Sequence, residues 1–178
     1  ILRGISERVS PSDLRLVAVD SSVRRLATAA AMPHTVSAIP AERTDQVAAA
    51  IEHLAAELGS RRRDPDAERP ELVFLVHDLG HVVRRLGSSS RRGTLESLDE
   101  VARSTGHGIS IVAVTSTISG LSGLVDAAAD VYVGLMTNED ERLALGFDEL
   151  AMTACSPGRC WSRATGRLVQ LAAPAGRS

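Results

Sequence analysis

Four runs of the chain are apolar almost without a break: residues 14–20, interrupted at Arg15, 72–76 (Leu-Val-Phe-Leu-Val), 109–114 and 131–135. Such runs predict strands covered on both faces, as in a parallel sheet, because a half-solvated strand alternates instead. Between them the apolar residues fall at helical spacing. Over 44–58, Val47, Ile51, Leu54 and Leu58 recur at steps of four, three and four, which places them on one face. Thr44 is the expected N-cap, Asp45 suits the first turn, and Gly59 is the expected stop. Residues 94–104 predict a second helix with Leu95, Leu98, Val101 and Ala102 inward, and 122–129 and 139–145 predict shorter ones. Residues 1–9 read as the tail of a helix ended by Ser10-Pro11.

The remaining segments are polar or rich in turn formers. Pro33 and Pro40 bracket an irregular or extended passage, 60–70 (Arg, Asp and Pro) reads as a solvated loop, and 87–93 as a flexible Ser/Arg loop. Residues 158–171 predict a hairpin about Thr165-Gly166. Strands alternating with helices imply an α/β fold: a mainly parallel sheet flanked by helices, with a C-terminal hairpin. There is no internal repeat.

Composition narrows the chemistry. The 178 residues suffice for one domain, expected over 1–174 with a tail at 175–178. Aromatics make up only 2% of the chain, so base stacking is not its main activity. A net charge of −2 gives no general pull toward nucleic acid or anionic membrane. All 20 basic residues are arginine. No lysine is therefore present to bind phosphate or form a Schiff base. Cys155 and Cys160 are too few for a disulfide framework or a zinc site, which points to a reduced, cytosolic setting. No run reaches the length of a membrane span, and no signal peptide is visible. The chain opens at Ile1 inside a helical segment, so it is expected to be an excised part of a longer protein.

In sheets of this kind ligands bind beyond the carboxyl ends of the strands. The residues there are Asp20, His77, Asp78, Thr115, Ser116 and Thr117. A hydrophobic strand ending in a carboxylate, as 72–78 does, has the form of a Walker B element, whose acid holds magnesium or orients the attacking water. The plainer use of such an Asp is to cap the next helix. No Gly-rich loop with Lys-Ser or Lys-Thr occurs, nor any Gly-x-Gly-x-x-Gly fingerprint after a strand. Asp20-Ser21-Ser22 is similar to the start of a von Willebrand-type metal site, but Arg24 stands where the second serine belongs. No Gly-x-Ser-x-Gly elbow is present, and the five histidines are scattered. His77 and His81 are four apart but straddle a strand end, so no metal site is expected, and His53 falls on the polar face of its helix. Arg61 to Arg63 and Arg91-Arg92 read as solvated loop charges.

The order of these pieces resembles the motor domain of the FtsK/SpoIIIE family, most strongly the additional ATPase modules of type VII secretion proteins of the EccC kind. In that family a Ser-Pro-x-x-Leu turn leads to a strand ending in Val-Asp; here Ser10-Pro11-Ser12-Asp13-Leu14 leads to Val19-Asp20. A Leu-Pro-His passage and a helix ending in Glu-x-x-x-Arg follow, matched by Met32-Pro33-His34 and by Glu57 with Arg61. Gly106-His107-Gly108-Ile109 resembles the family's approach to the next strand, and Pro157-Gly158-Arg159 its late turn. The likeness runs over nearly the whole chain, which would begin just after the phosphate loop.

The resemblance implies a RecA-like P-loop NTPase core truncated at its N-terminus. It implies Asp78 as the Walker B-like catalytic carboxylate, and Asp20, His77, Thr115 and Ser116 as nucleotide-binding positions. His77 stands where active members carry the first, magnesium-linked acid. Thr115-Ser116-Thr117-Ile118 stands where they have Thr-Gln-Arg-Pro, so the sensor arginine is lost. A degenerate ATPase module is what these departures imply. ATP and Mg2+ are then expected in the intact protein and not for this chain alone. Expected partners are neighbouring ATPase modules and a secreted substrate protein. The segment is expected on the cytoplasmic side without touching the membrane, the full-length protein being anchored in the bacterial cell membrane. Two alternatives stay open: a fragment of an active DNA translocase, with DNA as partner, and an α/β binding domain with no nucleotide history.

Overall fold

The computed structural model of the chain describes residues 8–88, 91–104, 106–134, 136, 138–147 and 158–171. Four strands, β1 (Leu14–Asp20), β2 (Thr35–Pro40), β3 (Glu71–His77) and β4 (Ile109–Val114), form a wholly parallel sheet in the order β2-β1-β3-β4. Five helices are interleaved with it or follow it: α1 (Val23–Ala30), α2 (Thr44–Arg63), α3 (Leu79–Ser88), α4 (Arg92–Arg103) and α5 (Ser122–Ala127). A second, antiparallel sheet of β5 (Tyr132–Val133), β6 (Arg159–Ser162) and β7 (Arg167–Gln170) follows, with α6 (Glu139–Ala144) between its first two strands.

The central strands β1 and β3 are the longest apolar runs because they have a neighbour on each side and side chains buried on both faces. One face carries Val17, Val19, Phe74 and Val76 into the main core, where Val47, Ile51, Leu54 and Leu58 of α2, Val82 and Leu86 of α3, and Leu98 and Val101 of α4 meet them. Each such side chain contributes about 1.5–3 kcal/mol on burial. The other face carries Leu14, Leu16 and Val73, with Met32 packed partly against them. A smaller core of Val133 and Leu145, with Val125, Phe147 and Trp161 alongside, seats the antiparallel sheet.

The passage between Pro33 and Pro40 takes the extended of its two expected forms, as strand β2; Pro40 is tolerated because β2 is an edge strand and Pro40 its last residue. Several expectations are corrected. Gly59 does not stop α2, which runs on to Arg63 and takes the first residues of the supposed 60–70 loop. What carries it past the glycine is Arg61, whose side chain is bonded into the protein. Thr44 is the first residue of α2, not its cap; Arg43 is the cap residue and makes no side-chain cap bond. Gly87 and Ser88 close α3, and Arg92 and Gly93 open α4, so the 87–93 loop is shorter than expected. Residues 131–135 do not join the parallel sheet: Tyr132 and Val133 pair with Ser162 and Trp161 antiparallel, and residue 135 lies outside the described residues. Leu95 and Ala102 are only half-buried, while Thr94 is buried. α1 and α3 have no expected counterpart.

The first seven residues of the expected N-terminal helix, together with Cys155, Pro157 and the tail 175–178, lie outside the described residues. The C-terminal hairpin is present as expected, β6 and β7 pairing Trp161 with Leu168.

Candidate functional site: the carboxyl edge of the parallel sheet

Because β1, β3 and β4 run the same way, Asp20, His77-Asp78 and Thr115 all fall at one edge of the sheet. Asp20 is buried at 7% exposure, yet both its oxygens are satisfied. Oδ2 accepts from Arg25 Nε at 2.6 Å; Oδ1 accepts from Arg25 Nη2 at 2.8 Å and from Ser22 N–H at 2.7 Å. Fork-to-fork pairing of this kind is the strongest that a guanidinium makes with a carboxylate. Ser22 is also the cap of α1, its Oγ accepting from Arg25 N–H. The turn that ends β1 therefore starts the helix that returns Arg25 to the strand end.

Arg25 Nη2 lies 3.2 Å from His77 Nδ1, and that nitrogen is 3.8 Å from Asp20 Oδ1. Burial pushes the Asp20 carboxyl up. The hydrogen bonds from Arg25 and Ser22, with the electrostatic pull of His77 and Arg25, outweigh it and hold Asp20 below the ordinary carboxylate value. The same bond to Asp20 raises Arg25.

Asp78 is used differently. Its φ is +61°, a left-handed conformation that Asp tolerates better than most residues. Its backbone carbonyl accepts from His81 and Val82 N–H, and its Oδ1 accepts from His81 N–H at 3.2 Å. Asp78 thus caps α3. Gly80, two residues further on in the first turn of α3, lets the helix approach the end of β4: a Cβ there would sit 3.1 Å from both Thr115 Oγ1 and Thr117 Cγ2. Thr115 Oγ1 donates to Thr117 O at 2.7 Å and accepts from Gly80 N–H at 3.4 Å. Ser116 is exposed and makes no side-chain bond among the described residues.

The structure brings Asp20 and His77 together and joins Thr115 to the start of α3. No bond links Asp20 to Asp78 or Thr115 among the described residues. Nor do those residues include a group of three or more His, Cys, Asp or Glu able to hold a metal ion. As arranged, the edge does not fit magnesium: both oxygens of Asp20 are committed to a guanidinium, and Asp78 is a helix cap.

Three residues with a part in this edge escape sequence reasoning: Arg25, Gly80 and Glu141. Glu141 reaches over from α6, and its Oε1 accepts from Thr117 Oγ1 and from the N–H groups of Ile118 and Ser119. The five-residue step from a strand-ending Asp20 to Arg25 was a usable signal for the first. Nothing local marks the other two.

A parallel β2-β1-β3-β4 sheet with helices packed on it and polar residues along its carboxyl edge defines an α/β domain with its candidate site at that edge. No protein-family model matches the sequence, and no curated protein does. Solved structures do match. The chain is similar to ATPases 2 and 3 of Thermomonospora curvata EccC in complex with a signal sequence peptide, with TM-score 0.66 and 21% identity over 98% of this chain and 34% of that one. It is similar to ATPases 2 and 3 of EssC from Geobacillus thermodenitrificans, with TM-score 0.68 and 14% identity over 93% and 34%. The cytoplasmic domain of the T. curvata type VII secretion ATPase EccC gives TM-score 0.69 and 22% identity over 98% and 22%. At these identities the likeness establishes the fold, that of an EccC-type ATPase module. The chain spans about a third or less of the length of the structures it matches.

Proposed function

We propose that this chain is a degenerate, nucleotide-hydrolase-like module of an EccC-type secretion ATPase, a single unit over 1–174 that regulates its neighbours or recognises the exported protein. The observation that carries this reading is the state of the two strand-end carboxylates. Phosphoryl transfer needs a positioned metal and a cationic cradle around the phosphates. Asp20 is neutralised by the chain's own Arg25, Asp78 caps α3, and the chain has no lysine. A guanidinium bound this way stands where a cation would otherwise be drawn.

In this reading ATP and Mg2+ are used by other modules of the intact protein. Its partners are those modules and a secreted protein, and it works on the cytoplasmic side. The signal sequence peptide in the T. curvata EccC complex supports a recognition role. None of the helices among the described residues is long and apolar enough to cross a membrane, which is consistent with that placement.

The test is calorimetric titration of ATP with magnesium into the purified chain, with phosphate release followed in parallel. Neither turnover nor micromolar binding is expected. Micromolar affinity, or turnover abolished by Asp78→Asn, would overturn the reading.

A further inference from the structure

The turn after β4 gathers three hydrogen-bond donors onto one oxygen. Thr117 Oγ1–H, Ile118 N–H at 3.1 Å and Ser119 N–H at 3.3 Å all point at Oε1 of Glu141. Ser119 N–H is shared with Thr117 Oγ1 at 3.2 Å, so the two residues hold each other in place. The turn is also fixed from the strand side, by Thr115 Oγ1–H donating to Thr117 O and by the close approach of α3 at Gly80. It is therefore shaped by contacts other than the one to Glu141. Successive N–H groups converging on a point form an anion receptor, and no acidic side chain other than Glu141 bonds to it among the described residues.

The helix that carries the occupant is thinly packed. Glu141 sits on α6, a six-residue helix with no buried residue. Asn138 caps that helix, Leu145 anchors its far end, and Arg142 bonds to Phe147 O. Glu141 Oε2 has no hydrogen-bond partner among the described residues. One oxygen of one carboxylate is thus the polar tie between a thinly packed helix and a turn at the sheet's carboxyl edge, beside the apolar contact of Ile118 with the small core that holds Leu145.

We propose that the 117–119 turn is an oxyanion-binding site whose resident occupant is Glu141, and that a small external oxyanion, carboxylate or phosphate, exchanges with it and releases α6. The fit is chemical: any oxygen bearing negative charge can take the place of Oε1, and the exchange replaces one anion by another without exposing an unpaired donor. The internal carboxylate competes with the external one through its effective concentration, so deleting it tightens external binding. The proposal does not depend on whether the module hydrolyses ATP.

The test is an amide NMR titration of the whole chain with sodium phosphate, with sodium glutarate as the second arm and sodium chloride matching ionic strength. Wild type and Glu141→Ala are compared. In Glu141→Ala the Ile118 and Ser119 amides are expected to shift with a midpoint about tenfold lower than in wild type, the gain from removing an internal competitor. In wild type the amides of α6 should move together with them. A response to phosphate alone or glutarate alone identifies the oxyanion preferred, and either supports the site. Amides that ignore both anions in folded Glu141→Ala, or equal midpoints in the two proteins, overturn it. If Glu141→Ala fails to fold, Glu141→Gln keeps the side-chain length and a neutral acceptor but removes the charge, so a smaller lowering of the midpoint in the same direction is expected, and an unchanged midpoint overturns the proposal.

Discussion

Arg61 and Arg25 sit at opposite ends of one sheet and are used in opposite ways. Arg61 is buried at the amino end, where β3 and β4 begin. Its Nη2 donates to Pro70 O at 2.6 Å, its Nη1 to His107 O and Gly108 O at 3.1 Å each, and its Nε to Glu57 at 2.9 Å. Arg25, at the carboxyl end, has a side chain 52% exposed and is bonded to Asp20 beside His77. The first guanidinium is itself buried and gives its donors mostly to backbone carbonyls. The second faces a carboxylate at the solvent boundary. The difference separates a joint that closes the fold from a charge that sets the character of a site. It also corrects the expectation that Arg61 to Arg63 are all solvated: Arg62 and Arg63 are exposed, Arg61 is not.

The sharpest way to break the comparison is Arg61→Met. It keeps much of the apolar stem but takes the guanidinium from Pro70 O and His107 O, while Gly108 O keeps Leu72 N–H and Glu57 keeps Arg69, so the expected cost is about 2–3 kcal/mol, read from urea denaturation midpoints. A loss below about 1 kcal/mol would show that water or another side chain takes over those carbonyls.

Gly108→Ala comes next. Gly108 has φ +63°, and a Cβ there would meet Arg61 Nη1 at 2.6 Å. Strained backbone and a displaced guanidinium together predict a loss of about 1–3 kcal/mol by the same measurement. That loss should shrink in the Arg61→Met background, because the collision disappears and only the backbone term remains.

Arg25→Gln should move stability less than either, and its effect should depend on pH. The folded-state value of Asp20 is depressed, so its contribution is present above the unfolded carboxylate value and is lost as pH falls through the folded one. The gap between wild type and Arg25→Gln should therefore be widest near neutrality and should close below about pH 4. A gap that stays constant from pH 7 to pH 3 would mean that Arg25 acts through packing alone.

How much of this was legible depends on range along the chain. β1, β3 and β4 could be read because burial on a parallel sheet leaves a local mark, an apolar run such as Leu72 to Val76. α1 could not: Val23-Arg24-Arg25-Leu26-Ala27 carries too few apolar residues to show a stripe, and only Leu26 and Ala29 are buried. α3 starts directly at a strand end and holds glycines at 80 and 87, which hide its period. At the site, the edge itself was predictable from strand direction, whereas what satisfies each group was not. Asp20 finds Arg25 five residues on, but Thr117 meets Glu141 across 24 residues, and Arg61 reaches carbonyls 46 and 47 residues away. Partnerships at that distance follow from the packing of elements, and no single stretch of sequence records them.

The Arg61 joint also bears on how the chain meets a protease. Residues 64–66 are exposed, in a stretch of Asp, Pro, Ala and Glu that looks open to cleavage. Its two ends are fastened nevertheless, Asp64 N–H to Ser60 O and Pro70 O to Arg61. Cleavage between them would leave β3 hydrogen-bonded between β1 and β4, and the two fragments should stay together until a denaturant separates them.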